Sequence, residues 1–179
     1  MIIDEGVYTL ADRKLVLDLT DGFDLAGETC RYILTGENGV GKTSFLEMIL
    51  IPALQRQHVD FLYIGQDIRN QLYTLRALLA TMGLSVISAD ERELLRTWIV
   101  NSPGVSVLIM DEFDKYFSDD DFIFQWTKGV IQSSFVVSHH EQPNRRIEPH
   151  AADRICRMRF ERAGQDGAMR RVQIHQESL

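Results

Sequence analysis

Short apolar runs alternate with segments of helical periodicity along most of the chain. A short run that is apolar throughout is typical of a strand buried on both faces of a sheet. The predicted buried strands are Cys30–Thr35, Asp60–Ile64, Val105–Met110 and Ser134–Ser138. The predicted helices are Thr43–Gln55, Ile68–Thr81, one from about Ser88 through Val100, and one from Ser118 to about Ile131. Pro52 is expected to kink or end the first of these helices, because proline lacks a backbone N–H.

The two ends of the chain show strand patterns without helices between them. Gly6–Leu19 alternates enough to form one or two short strands. Arg154–Phe160 and Ala168–His175 predict a hairpin that turns at Asp166–Gly167. Together these patterns predict an α/β fold, in which a mostly parallel sheet is covered on both faces and the terminal strands form an antiparallel addition. Ligands of such folds bind at the carboxyl ends of the strands.

A glycine-rich loop separates the first buried strand from the first helix, and its sequence GENGVGKT fits the pattern G-x-x-x-x-G-K-[ST]. Its glycines let backbone N–H groups turn inward as a nest for anions, and the following helix directs its positive end at the same point. Lys42 would bring its charge to the β- and γ-phosphates of a nucleotide, and the Thr43 hydroxyl would bind Mg²⁺. The predicted nucleotide-binding residues are Gly36, Glu37, Asn38, Gly39, Val40, Gly41, Lys42 and Thr43.

Two acids, Asp111 and Glu112, directly follow the buried strand Val105–Met110. A carboxylate at the end of such a strand holds Mg²⁺ in P-loop nucleoside triphosphatases (NTPases). Asp111 is therefore predicted to act on the metal shell, and Glu112 to polarise an attacking water as general base. With the loop, the pair predicts a three-layer P-loop NTPase that binds ATP with Mg²⁺ and hydrolyses ATP. The alternative is a pair of surface acids at a strand end.

Several neighbouring motifs resemble those of ABC-type (ATP-binding cassette) ATPases. Ala26-Gly27-Glu28 is similar to the turn before the loop strand in that family, and the loop itself, with Ser44 after it, is similar to the family's phosphate loop. The resemblance adds Ser44 to the residues that bind the nucleotide. Gln66 is similar to the family's Q-loop glutamine, which implies contact with Mg²⁺ and water. Tyr8 is a candidate for stacking on adenine, and it is equally a core strand residue.

Two further segments resemble motifs of the same family. ISADE at residues 87–91 resembles the signature Leu-Ser-Gly-Gly-Gln/Glu, with Ala89 and Asp90 in place of the glycines. This implies that Ser88 contacts the γ-phosphate of ATP held by a second protomer; alternatively, Ser88 and Glu91 only form the capping box of a helix. His139 resembles the switch histidine, which implies contact with the γ-phosphate, and His140 is the alternative one position on.

The resemblance covers nearly the whole chain and implies that residues 1–179 form a single nucleotide-binding domain, with a reduced helical insert at about residues 67–87. It implies a homodimer or heterodimer that forms around ATP and a partner protein that hydrolysis drives or gates. Two alternatives stay open: the nucleotide-binding subunit of a membrane transporter, and a nucleotide-gated switch with little turnover. A small-molecule kinase could offer Arg76, Arg92 and Arg96 as lid arginines, but the acid pair and His139 fit an ATPase better.

Composition limits the remaining possibilities. The chain is 45% apolar and 25% charged, as expected for a globular protein, and its net charge of −7 argues against non-specific binding of nucleic acid. No apolar run reaches the roughly 20 residues that cross a bilayer, so any membrane contact would be peripheral and made through a partner. The two cysteines, Cys30 and Cys156, have neither metal-ligand spacing nor a disulfide pattern, which favours a cytoplasmic location.

Overall fold

The computed structural model describes residues 2–24, 30–65, 67–84, 90–101, 104–111, 131–138 and 154–178. Its strands are β1 (Ile2–Ile3), β2 (Gly6–Leu10), β3 (Leu15–Leu19), β4 (Phe23–Asp24), β5 (Cys30–Thr35), β6 (Phe61–Ile64), β7 (Val107–Met110), β8 (Ser133–Val137), β9 (Arg154–Asp166) and β10 (Met169–Ser178). Its α-helices are α1 (Lys42–Phe45), α2 (Ile51–Arg56), α3 (Ile68–Thr81) and α4 (Glu91–Val100). Within these ranges, no helix combines the length and apolar character that a membrane span requires.

Eight of the described strands form one sheet in the order β2-β3-β10-β9-β5-β8-β7-β6. The five strands from β9 to β6 are parallel to one another. β9 pairs with β10 in antiparallel fashion, as β2 does with β3, while β10 and β3 run parallel. The mostly parallel sheet with antiparallel strands from the chain ends is therefore confirmed, and the parallel pairing of β10 with β3 is an addition to it.

Helices cover both faces of the sheet and make two separate cores. The first core joins the sheet to α1 and α2, and its fully buried helical side chains are Phe45, Leu46, Leu50 and Leu54. The second core joins the other face to α3 and α4 through Leu72, Leu75, Leu79, Leu94 and Leu95. Burying each of these large side chains contributes about 1.5–3 kcal/mol relative to exposure. The predicted three-layer fold follows from this division.

Pro52 was expected to kink or end the helix after the loop, and the helix does not end there. It continues to Arg56, and the segment Leu46–Leu50 just before Pro52 is π-helical. Pro52 cannot donate to the carbonyl four residues earlier, and its ring crowds that carbonyl. A wider π turn is a common way to accommodate such a break inside a helix, and such turns often lie near functional sites. The break is therefore absorbed within the helix.

The helix α4 begins later than predicted and is capped by a different residue. It starts at Glu91, and the backbone N–H of Glu93 donates to Oδ1 of Asp90 at 2.8 Å. Asp90 is therefore the N-cap, so the predicted capping box of Ser88 with Glu91 is wrong. Either residue type can cap a helix, and the sequence offered both within two positions.

Asp90→Ala should lower the free energy of unfolding by about 0.5–2 kcal/mol, because one N–H of the first helical turn loses its acceptor. Asp90→Asn should recover most of the loss, since asparagine caps helices equally well. Urea unfolding followed by circular dichroism measures both differences. Equal stability of all three proteins would contradict the assigned cap.

The terminal hairpin is longer than its apolar pattern indicated. β9 runs on to Asp166, six residues past the predicted end at Phe160, and β10 begins at Met169. Residues 161–166 are exposed on both faces of the hairpin, and their sequence shows no apolar alternation from which a strand could be predicted. The predicted turn is correct: Gly167 has a φ of 60°, which favours glycine. The hairpin thus extends beyond the core as a paired ribbon.

The two cysteines are neighbours, although 126 residues separate them. Their sulfurs are 3.6 Å apart between the adjacent strands β5 and β9, and both residues are buried free thiols. Burial raises the pKa of Cys30 to about 12. Both thiols are also shielded from solvent, with Cys156 fully buried, so neither cysteine should react with Ellman's reagent at pH 7–8 until the protein unfolds. Rapid labelling of the folded protein would contradict this packing.

The other segments predicted from sequence either match the structure closely or lie outside it. The predicted helix Ile68–Thr81 is confirmed with the same bounds. The turn at Ala26–Gly27 and residues 118–130 of the last predicted helix lie outside the described residues.

Candidate nucleotide-binding site

The glycine-rich loop joins the carboxyl end of β5 to the first residue of α1, as predicted. Gly36 has a φ of 138°, and a Cβ atom there would lie 2.6 Å from the carbonyl oxygen of Phe160 in β9. Gly41 has a φ of 123°, and a Cβ atom there would lie 2.9 Å from a methyl carbon of Leu15 in β3. Both positions therefore require glycine, and the loop is held closely against the neighbouring strands.

Lys42 is enclosed by the loop that precedes it. The residue is 5% exposed, and its Nζ donates to the carbonyl oxygens of Gly36 at 2.6 Å and Glu37 at 3.0 Å. These contacts hold a positive charge over the part of the loop where backbone amides would face a phosphate. An incoming phosphate would offer the ammonium a stronger, charge-assisted acceptor than a carbonyl group.

Thr43 connects the loop to the strand that ends in the predicted acid pair. Its Oγ1 donates to Oδ2 of Asp111 at 2.7 Å, and Asp111 is only 2% exposed. The backbone N–H of Asp111 donates to the carbonyl oxygen of Ile64 at 2.8 Å, which fixes Asp111 beside the end of β6. The two side chains predicted to bind Mg²⁺ therefore lie within hydrogen-bond distance of each other.

The residues present at this site fit a Mg²⁺–nucleotide. Hydroxyl and carboxylate oxygens are ligands that Mg²⁺ prefers, and it usually takes one or two protein ligands together with phosphate oxygens and water. The glycine conformations and the enclosed lysine provide for the phosphates. Thr43 and Asp111 would hold the metal, and Lys42 would bind the phosphates.

The strand β8 lies between the loop strand β5 and the acid strand β7. At its carboxyl end, the buried Ser138 donates its backbone N–H to the carbonyl oxygen of Leu34 at 3.0 Å. The end of β8 therefore reaches the edge of the sheet where the loop and Asp111 lie. Ser138 belongs to no recognised motif, although its position at the end of a buried strand was a signal for it.

Tyr63 and Glu47 lie near Asp111, and neither belongs to a motif that could be recognised in the sequence. The Tyr63 hydroxyl donates to Oε1 of Glu47 at 3.2 Å. Burial, followed by the nearby carboxylates of Glu47 and Asp111, raises the pKa of Tyr63. The hydroxyl therefore stays protonated and available as a donor at neutral pH. Glu47 also forms an ion pair with Arg13 at 3.7 Å.

Some predicted site residues lie outside the described part of the chain: Gln66, Ser88, Glu112, His139 and the alternative His140. Tyr8 is described and half-buried, packs against the first core, and donates its hydroxyl to the carbonyl oxygen of Asp4 at 2.7 Å. It is therefore a core strand residue, whichever further role it has. Arg76, offered as a kinase lid residue, lies on α3, whose buried side chains pack on the sheet face opposite α1.

No protein-family model matches the chain, and no curated protein sequence matches it. Among solved structures, the chain is similar to a KaiC-like protein from the hyperthermophilic archaeon Pyrococcus horikoshii, with a TM-score of 0.49 and 12% sequence identity over 85% of this chain and 80% of that chain.

Proposed function

We propose that this chain is a Mg²⁺-dependent P-loop ATPase of the ABC type, which dimerises around ATP and thereby drives or gates a partner protein. The observation that carries the proposal is the 2.7 Å hydrogen bond between Thr43 and Asp111. It places a hydroxyl and a buried carboxylate together at the mouth of a loop that already encloses the charge of Lys42. That combination is suited to a metal-bound triphosphate and has little purpose in a simple glycine-rich turn.

Each residue has a defined task in this proposal. Loop amides and Lys42 bind the β- and γ-phosphates, while Thr43 and Asp111 hold Mg²⁺, which supplies positive charge to the phosphate oxygens. Glu112, next to Asp111 in sequence, accepts a proton from the attacking water. Gln66 orients that water at the metal. His139 follows the buried Ser138 in sequence and contacts the γ-phosphate.

Dimerisation is proposed from the signature-like segment at residues 87–91, which would place Ser88 against the γ-phosphate bound by the other protomer. Asp90, one of the two residues that replace the family's glycines, is engaged as the N-cap of α4 through the N–H of Glu93. This hydrogen bond gives the Asp90 carboxylate a structural role, so an acid two positions after Ser88 in the sequence is compatible with the proposed contact.

Glu112→Gln should bind ATP, fail to hydrolyse it, and accumulate as a dimer in Mg-ATP, because the proton acceptor is lost and the closed state persists. Light scattering across protein concentrations, with and without Mg-ATP, measures the mass directly. The variant Glu112→Gln with Ser88→Arg is the matched control, and it should bind ATP as a monomer.

The other outcomes separate the alternatives. A Glu112→Gln protein that binds ATP but remains monomeric would contradict the homodimer and favour a switch or one half of a heterodimer. Slow hydrolysis at the same rate in wild type and Glu112→Gln would favour the switch. Transfer of phosphate to an added acceptor instead of water would identify a kinase.

A further inference from the structure

The terminal hairpin reaches over the outer side of the phosphate loop and places two arginines there. Arg162 on β9 pairs its Nε with Oε2 of Glu37 at 3.2 Å, and Arg170 on β10 donates from Nη1 to the carbonyl oxygen of Gly39 at 3.1 Å. Two separate strands thus bring a guanidinium group to two positions of the same loop. Neither arginine belongs to the phosphate-binding motif.

The sheet order shows which half of a bound nucleotide would lie near these arginines. Thr43 and Asp111 mark the metal and γ-phosphate end of the site, on the side of β5 where β8 and β7 lie. Because the nucleoside is attached at the end of the phosphate chain away from the γ-phosphate, we place it on the opposite side of the loop. On that opposite side β5 is followed by β9 and β10, which carry the two arginines.

The chemistry of the hairpin suits a base and ribose better than further phosphates. A guanidinium is planar, stacks on aromatic faces and offers several fixed donors for hydroxyl groups. Both arginines are exposed, with 59% of the Arg162 side chain accessible. Within the described part of the chain, the aromatic residues Phe45 and Phe160 pack beside the loop, and both are buried in the first core with no free ring face.

The present contacts of the two arginines are weak enough to be exchanged for a ligand. Arg162 and Glu37 form an exposed ion pair, and such pairs contribute about 0–1 kcal/mol. Arg170 makes one exposed hydrogen bond to the loop. By contrast, Arg159 and Arg171 lie on the other face of the hairpin, where they pair with Glu161 and Asp18 at 2.7 Å each.

We propose that Arg162 and Arg170 form the nucleoside subsite, in which they stack on the base and bind the ribose of the nucleotide whose phosphates occupy the loop. This inference rests on the proposed nucleotide site and adds the residues that recognise its non-phosphate half. It assigns to the hairpin the role that a stacking aromatic residue would otherwise have.

Titration calorimetry of the full chain with two probes, Mg-ATP and inorganic tripolyphosphate with Mg²⁺, tests the assignment. Arg162→Ala with Arg170→Ala should lose about 10–100-fold in affinity for ATP, since stacking on a base contributes about 1–3 kcal/mol. Its affinity for tripolyphosphate should stay within about threefold of wild type, a change of under 1 kcal/mol. Arg154→Ala with Arg159→Ala removes the same charge and should leave both affinities within that range.

The remaining outcomes decide against the subsite. An equal loss of affinity for both probes would show that the arginines act on the phosphates, and unchanged affinity for ATP would remove them from the site. Arg162→Lys with Arg170→Lys keeps the charge without the planar group, so full recovery of ATP affinity would overturn stacking. A wild-type chain that binds neither probe would overturn the phosphate site itself, which separates that failure from failure of the hairpin alone.

Discussion

Asp111→Asn should reduce Mg²⁺-dependent ATP hydrolysis by about 1,000-fold, which corresponds to about 4 kcal/mol of lost transition-state stabilisation. The carboxylate is 2% exposed and already accepts the Thr43 hydroxyl at 2.7 Å, so it lies where a metal would bind both groups. Asparagine keeps an oxygen that can accept the same hydrogen bond but removes the negative charge that Mg²⁺ requires. Binding of ATP without Mg²⁺ should change by less than about threefold.

A Mg²⁺ titration of hydrolysis, with ATP binding measured in EDTA, separates the metal role from a folding defect. Asp60→Asn is a suitable control, because Asp60 is exposed and precedes β6 at the amino end of the parallel strands, away from the loop. That variant should keep wild-type rates at every Mg²⁺ concentration. Undiminished hydrolysis by Asp111→Asn would exclude the Thr43–Asp111 pair as the metal site.

The parts of the site that could be predicted are those whose signals are local in sequence. The loop lies between a strand and a helix, and Asp111 directly follows a buried strand, so each position could be predicted from a window of a few residues. Hydrophobic periodicity likewise gave α3 its correct bounds, because Leu72, Leu75 and Leu79 recur at helical spacing and are all buried.

The parts that could not be predicted depend on which strands become neighbours. Cys30 and Cys156 meet because β5 pairs with β9, and no local pattern encodes that pairing. The approach of Arg162 and Arg170 to the loop depends on the same pairing and on an exposed ribbon without apolar alternation. The position of β8 between β5 and β7, which brings Ser138 to the loop edge, is also a property of the whole sheet.

Taken with the sheet order, these contacts divide the site into two halves around β5. The strands β8 and β7 bring Ser138 and Asp111 to one side of the loop, which in the proposed function is the side of the terminal phosphate and the metal. The strands β9, β10 and β3 form the opposite wall, which fixes the loop through the close contacts at Gly36 and Gly41. Lys42 lies between the halves, so its substitution tests whether they serve one ligand.

Lys42→Met should weaken ATP binding by about 100-fold, or about 2.7 kcal/mol, with a similar loss for tripolyphosphate. The ammonium is enclosed and held at 2.6 Å from the carbonyl oxygen of Gly36, so a bound phosphate would meet a charge already in position. Methionine has nearly the same length and fills the space without the charge, which should leave the melting temperature unchanged or slightly higher because no buried charge remains.

Arg56→Met provides the matched control, because this substitution also removes one positive charge, but at the far end of the same helical run. It should bind ATP as the wild type does. Calorimetry and thermal unfolding of the three proteins distinguish the alternatives. If Lys42→Met keeps wild-type affinity, the phosphates bind elsewhere. If both variants lose affinity equally, the loss comes from the lower positive charge of the protein and not from a contact at the loop. A loss confined to Lys42→Met, for both probes, places the shared triphosphate at the loop between the two halves of the site.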